Sequence, residues 1–430
     1  VTTPSTAGEW TTLVRGVSVF DGSATLVGPV DVLVRGRHIE AVTSERLEPA
    51  DGEPVVQIDG TGRTLLPGLI DAHWHAMMAS LSMALMQAGD LTDLALAAGQ
   101  TAEETLLRGF TTVRDVGGPV FGLKRAIDAG TVAGPRIYPS GAFISQTAGH
   151  GDYRARHEVP RGVLGSLSRA EIVGVATIAD GVPEVLRAVR EQLMLGASQI
   201  KMMAGGGSSS VYDPIDVTQY GLDELRAGVQ AAEDWGTYVT VHAYTDRAVQ
   251  RALEAGVRCI EHGQLVTEPT VEAMVERQAW WCLQAFLADD EGRLSADPVR
   301  RAKQLRVAAG TDQAYRLAKE FGVQLAWGSD VLFDRALAAK QGAQLRKLLR
   351  WFAPHEVLRI ATADNADLLA LSGARNPYPG RLGVVAEGAW ADLLLVDGDP
   401  LADHLAFLDD PAAHLVAVMK DGRLVHRRTP

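Results

Sequence analysis

Residues 65–75 read LLPGLIDAHWH, an apolar run that ends in His73-Trp74-His75. A β-strand alternates its side chains between two faces, so both imidazoles point one way and Trp74 the other. Two imidazoles two residues apart on a strand can bind one metal ion. Seven further apolar runs follow: FTTVRDV (110–116), RIYPSGAFIS (136–145), ASQIKMM (197–203), TYVTVHAY (237–244), VRCIEHG (257–263), AWWCLQAF (279–286) and QLAWGSD (324–330). Helical stretches fit between them. GVPEVLRAVREQLMLG before the fourth run and DELRAGVQAAEDWG before the fifth carry apolar residues three and four apart, and each ends at a glycine. AAKQGAQLRKLLRWF and APHEVLRIATADNADLLAL read as two more helices after the eighth run. Eight strands alternating with helices predict an α/β fold, a TIM (β/α)8 barrel over residues 65–379.

Outside that segment the pattern is β-rich. LVRGVSVF, VDVLVRGRHIEAV and VVQI lie between Leu13 and Ile58, with turn pairs Asp21-Gly22 and Asp51-Gly52. ADLLLVDG (391–398) and LVAVMKDGRLV (415–425) have the same character. The expectation is a small β-sandwich formed by both chain ends, residues 1–64 and 380–430.

In a TIM barrel, chemistry is built at the carboxyl ends of the strands. Six candidate ligands fall there: His73, His75, Lys201, His242, His262 and Asp330. The whole chain has eleven histidines, and four of them occupy these positions. Imidazole and carboxylate ligands without thiolate favour zinc, with manganese, cobalt or nickel as chemically admissible substitutes. A lone strand histidine is more often a hydrogen-bonded core residue; six such positions at one end argue for a metal site. Lys201 needs its own argument, because a protonated ammonium has no lone pair. Buried near positive charge, the amine loses its proton; it then stays a neutral nucleophile or reacts with carbon dioxide to give an anionic carbamate.

These residues resemble the amidohydrolase superfamily, with an H-x-H after a PGLID motif, then lysine, histidine, histidine and a G-S-D aspartate. SQTAGHGD (145–152), IKMMAGGGSSS (200–210), VTVHAY (239–244) and IEHG (260–263) are similar to the branch of Xaa-Pro dipeptidases, related carboxypeptidases and ochratoxinase. The resemblance spans nearly the entire chain. It implies two divalent metal ions, with Lys201 as an N6-carboxylated bridge, His73, His75 and Asp330 on the first ion, and His242 and His262 on the second. It implies attack by the hydroxide between them on an amide of an N-acyl or N-aminoacyl amino acid, as in a dipeptidase, carboxypeptidase or ochratoxin A amidase. Asp330 would serve as general base and acid, and Tyr244 would donate to the developing oxyanion, against the alternative of a tyrosine that merely packs. His150 would contact the carboxylate-bearing end of the substrate, against a loop histidine with a local hydrogen bond. Cyclic amide or lactone hydrolysis and heterocycle deamination are the rival reactions; Lys201 counts against the deaminases. A non-catalytic binding protein would be expected to have lost part of this ligand set.

The net charge of -12 supplies no basic patch for nucleic acid. Cys259 and Cys282 form no C-x-x-C pair and read as buried thiols. Gly205–Gly207 with Ser208–Ser210 lacks the lysine and spacing of a phosphate-binding loop and reads as a flexible pocket loop. The methionine-rich MMASLSMALMQAG (77–89) suits a core helix that lines a pocket or a subunit contact. No stretch is long and apolar enough to span a membrane, and VTTPSTAGEWTT at the start lacks the form of a signal peptide. The expectation is a soluble, cytoplasmic homo-oligomer, with a removed export signal left open by the initial Val.

Overall fold

The computed structural model describes residues 10–428 except 24–25, 50–51, 53, 156, 211 and 290–293. The first nine residues of the polar start and Asp51 of the expected Asp51-Gly52 turn lie outside the described residues.

The run at 65–75 serves two sheets. Arg63–Pro67 pairs antiparallel with Leu393–Asp397, whereas Leu69–Trp74 pairs parallel with Phe110–Asp115. Gly68 is the crossing point: a Cβ there would lie 2.0 Å from Thr111 Oγ1, so only glycine lets the two segments approach. Its N–H donates to Asp392 O at 2.8 Å, which keeps the backbone satisfied at the switch.

Leu69–Trp74, Phe110–Asp115 and Arg136–Pro139 form a three-stranded parallel sheet. A seven-stranded parallel sheet runs in the order Ala176–Ile178, Phe143–Ser145, Ile200–Met203, Val239–Thr245, Cys259–Leu265, Trp280–Leu283 and Gln324–Trp327. Their side chains are buried almost throughout, as parallel strands covered on both faces require. Bonds join the two sheets at both seams: Ser198 N donates to Pro139 O at 2.7 Å, and Asp330 N to His73 O at 2.8 Å. Asn365 laces the second seam, donating from Nδ2 to Ile70 O (2.7 Å) and Trp327 O (2.9 Å) while its Oδ1 accepts from Trp327 N. It directly follows the π-helical turn Ile360–Asp364, which breaks the expected 353–371 helix.

All eight runs contain strands, with departures that have local causes. The third run splits around Gly141, whose φ is +74°. Ala176–Ile178 adds a strand beside Phe143–Ser145 that three residues are too few to announce by alternation. Val182–Leu195 and Leu222–Glu233 match the expected helices, the first closing on left-handed Gly196. The expected 338–352 helix is instead Gln341–Arg346 followed by the 3-10 turn Lys347–Arg350. Within 77–89 only Met83–Ala88 is helical; Met77 and Met78 are buried in the turn before it.

Both chain ends build one sheet unit. Its path is Arg423–Arg427, Leu415–Lys420, Leu393–Asp397, Arg63–Pro67, Thr11–Phe20, Leu26–Arg35 and His38–Thr43, with Val55–Asp59 also on Thr11–Phe20. Val17, Val32, Ile39, Leu65, Leu393 and Val416 share its core. Buried Arg136 ties this unit to the parallel sheets, donating from Nε to Asp392 Oδ2 at 2.8 Å and from Nη2 to Asp421. Among the described residues, no helix is long and apolar enough to cross a membrane.

Candidate active site

The carboxyl ends of the parallel strands surround a cavity of about 470 Å³. All eight residues singled out in the sequence line it: His73, His75, His150, Lys201, His242, Tyr244, His262 and Asp330.

Asp330 lies at the centre. Its Oδ1 is 3.1 Å from His73 Nε2 and 3.3 Å from His75 Nε2, and its Oδ2 is 4.0 Å from His262 Nδ1. Burial resists its ionisation, but His73 and His75 hold the carboxyl well below its usual range, so it is a carboxylate at neutral pH. Asp330 and His262 both have left-handed backbones, φ +52° and +75°. Such conformations cost about 1–3 kcal/mol each and persist only where neighbours impose them. Trp281 Nε1 donates to His262 O at 2.5 Å, and the Asp330 N–H bond to His73 O fixes the other. Beneath them, Asp71 accepts from Ser329 Oγ (2.6 Å), Gln341 Nε2 (2.8 Å) and His73 N (3.0 Å), clamping the G-S-D turn to the first strand.

Each histidine has one ring nitrogen engaged by an acceptor. His73 Nδ1 meets Glu261 Oε2 at 2.7 Å, His75 Nδ1 meets Gly117 O at 3.0 Å, His262 Nδ1 meets Gln284 Oε1 at 2.6 Å, and His242 Nε2 meets Gly206 O at 3.1 Å. Donation there leaves a lone pair on the opposite nitrogen, the tautomer a metal ligand needs. Burial pushes His75 and His242 down and His262 to about 3, so these rings are neutral. Burial also works against the imidazolium of His73, but Asp330 and Glu261 outweigh it and raise that group. Lys201 is 2% exposed; burial lowers its ammonium, Arg114 adds to the effect, and Glu261 and Asp330 oppose it. The driving force towards the neutral amine is the one the sequence argument required.

His73, His262 and Asp330 offer ligand atoms all within 4.8 Å of one another, so they can hold a metal ion. His73, Glu261 and Cys282 satisfy the same distance. That grouping is chemically poorer, since Arg114 engages Glu261 and burial keeps the Cys282 thiol protonated.

Tyr244 is buried, its hydroxyl 3.4 Å from Ser208 Oγ and its ring stacked on His262 with centroids 5.1 Å apart. Burial raises its phenol, which therefore keeps its proton as a donor. His150 stacks on His242 at 4.1 Å, with Nδ1 3.0 Å from Ser210 Oγ and 3.6 Å from Asp213 Oδ2. Gly207 packs so closely that a Cβ there would lie 1.9 Å from His150 Nδ1. The glycine- and serine-rich stretch is thus a pocket wall against His150.

Sequence reasoning missed three groups. Glu261, wholly buried, accepts from Arg114 Nη2 at 2.6 Å and from the Thr240 hydroxyl, and orients His73. A glutamate within a buried strand was the available signal. Arg114 is equally buried and also donates to Ala72 O at 2.6 Å and Tyr238 Oη at 3.1 Å. Tyr153 lines the cavity, its ring edge-on to Phe143 and Phe333; nothing in its loop marked it.

Comparison with known proteins agrees with this geometry. Residues 64–425 match the model of the amidohydrolase family. The ochratoxinase of Aspergillus niger is 32% identical over 381 residues, covering 84% of this chain and 75% of that protein. A prolidase solved with N-methylphosphonate-L-proline is 35% identical with TM-score 0.88, covering 97% of this chain and 100% of the other. A Xaa-Pro dipeptidase solved with bound methionine is 29% identical with TM-score 0.83, again covering 97% and 100%. The chain therefore belongs to the amidohydrolase family, in the branch that includes these prolidases and ochratoxinase, and is a hydrolase of amide or peptide bonds.

Proposed function

We propose that this amidohydrolase holds two divalent metal ions, zinc by ligand chemistry, and cleaves the amide bond of an N-acyl or N-aminoacyl amino acid. The observation that carries the reading is the convergence of four imidazoles, the Lys201 amine and the Asp330 carboxylate on one cavity. The donor set fits such ions: four imidazoles, each with one ring nitrogen held by an acceptor, and a carboxylate, without a thiolate in the cavity. His73, His75 and Asp330 would hold one ion, and His242 and His262 the other. Lys201 would join them as a carbamate, formed when the neutral Nζ bonds to the carbon of carbon dioxide and releases a proton. When bound, such ions acidify water and polarise the scissile carbonyl.

The chain's own groups supply the rest. Asp330, ionised at neutral pH, takes the proton of the attacking water and passes it to the leaving nitrogen, which cannot depart as an amide anion. The Tyr244 hydroxyl donates to the carbonyl oxygen as negative charge develops there. His150, braced by Ser210 and Asp213, lines the cavity where it would contact the substrate's carboxylate. Phe143, Tyr153, Phe286 and Phe333 line the cavity, which favours an apolar substrate side chain. We infer that the two parallel sheets belong to one (β/α)8 barrel over 65–379 and that the sheet unit of both chain ends is a β-sandwich over 1–64 and 380–430, a reading the family likeness supports.

A substrate panel tests the proposal: N-acyl amino acids, Xaa-Pro dipeptides and ochratoxin A, beside a cyclic amide, a lactone and an aminated heterocycle. Cleavage confined to the amino-acid amides supports it. Turnover of only the cyclic or heterocyclic compounds contradicts it.

A further inference from the structure

Lys303 takes no part in the cavity lining, yet it is buried and all three of its ammonium hydrogens have backbone acceptors. It lies on the helix Pro298–Phe321, and Nζ donates to Gly207 O at 3.0 Å, Ser210 O at 2.9 Å and Asp213 O at 2.7 Å. The partners lie 90 to 96 residues away in sequence, so the contact is a long-range tether and no part of local loop structure.

Within the tethered segment the groups hold one another. Gly207 N donates to Asp213 Oδ2 at 2.5 Å, and Ser210 Oγ donates to Gly207 O at 3.3 Å. The same Ser210 Oγ and Asp213 Oδ2 are the groups beside His150 Nδ1, and Ser208 stands beside Tyr244. Gly205 and Gly206 are secured separately, through the bridge between Gly205 and Thr218 and the Gly206 N bond to Val217 O at 3.1 Å. The ammonium thus acts on Gly207, Ser210 and Asp213 and not on the part of the loop that faces His242.

We propose that Lys303 is a positioning residue that fixes the wall made by Gly207, Ser210 and Asp213, and through it the orientation of His150 towards the substrate's carboxylate. This inference rests on the proposed role of His150. Removing the ammonium strands three carbonyls beside a buried side chain, and charge-assisted bonds of this kind are stronger than neutral ones.

The test uses the full-length enzyme with Lys303→Met, which keeps the stem and removes the charge, and Lys303→Arg, which keeps the charge in a planar fork. Hydrogen exchange of peptides covering 207–215 should accelerate about tenfold or more in Lys303→Met while the 298–321 helix keeps its protection. KM should rise about tenfold, with kcat within about threefold and metal content unchanged, since binding common to ground and transition states is lost. Lys303→Arg should fall between, and it carries the test alone if Lys303→Met does not fold. Unchanged exchange overturns the tether. A loosened wall with unchanged KM overturns the positioning role, as does a uniform loss of protection that includes the helix. If no amide substrate is cleaved by the wild type, the proposed function fails, and the exchange measurement still decides the tether.

Discussion

Replacing Glu261 by glutamine asks whether a buried charge behind the site governs it. The exchange preserves shape and removes one negative charge. In the wild type, Oε1 accepts from Arg114 Nη2 at 2.6 Å and Oε2 accepts from His73 Nδ1 at 2.7 Å. An amide has a single acceptor oxygen, so either orientation turns its NH2 towards a donor. The Arg114 guanidinium would keep Ala72 O and Tyr238 Oη but lose its carboxylate. Breaking a buried ion pair costs about 3–5 kcal/mol; the two retained bonds place this case near the lower end, about 3 kcal/mol. With the amide oxygen kept on the Arg114 side, His73 faces the NH2 and loses the acceptor that fixes its tautomer, and such outer partners are worth about 10–100-fold in metal affinity or activity. Urea unfolding of metal-stripped protein measures the first effect, and competition with a chromophoric chelator the second. A loss below about 1 kcal/mol, together with unaltered metal affinity, would refute the reasoning.

Three further outcomes are expected. Tyr244→Phe should lower kcat about 10–100-fold with little change in KM, in steady-state kinetics on the best amide substrate, because only a developing oxyanion donor is removed. Arg136→Met strands Asp392 and Asp421 at the junction of the sheets; it should cost about 3–5 kcal/mol in urea unfolding while metal content per folded chain stays constant. Metal-free protein should lose stability on acidification. The folded His262 pKa is about 3 against 6.5 for the free group, so below pH 6.5 the unfolded chain takes up a proton that the native state refuses. Stability therefore falls by about 1.4 kcal/mol per pH unit from this group, and His242 adds to it with the same sign. A Tm that is flat between about pH 7 and 4.5 in excess chelator contradicts this assignment.

Much of the site was legible because strand alternation is strict. His73 and His75 had to share a face, and apolar runs carrying Lys201, His242, His262 and Asp330 near their carboxyl ends could be aligned without coordinates. What escaped depends on departures from that regularity. Neighbouring strand residues ordinarily face opposite ways, yet Glu261 and His262 both serve the site, at a point where the His262 backbone is left-handed at φ +75°. Lys303 reaches its partners across 90 to 96 residues, from a largely polar helix that no apolar stripe made conspicuous. The break at Gly68 was invisible for another reason: its cause is the Thr111 side chain on a neighbouring strand, a contact that exists only once the sheets have formed.

The most direct test is metal content of the purified enzyme measured beside amide hydrolysis, for the wild type and Asp330→Asn. About two divalent ions per wild-type chain, with cleavage abolished in the variant although its fold is retained, is the expected result. A wild type that cleaves amides at full rate after its metal has been stripped, or an Asp330→Asn variant that remains fully active, would contradict the proposed mechanism.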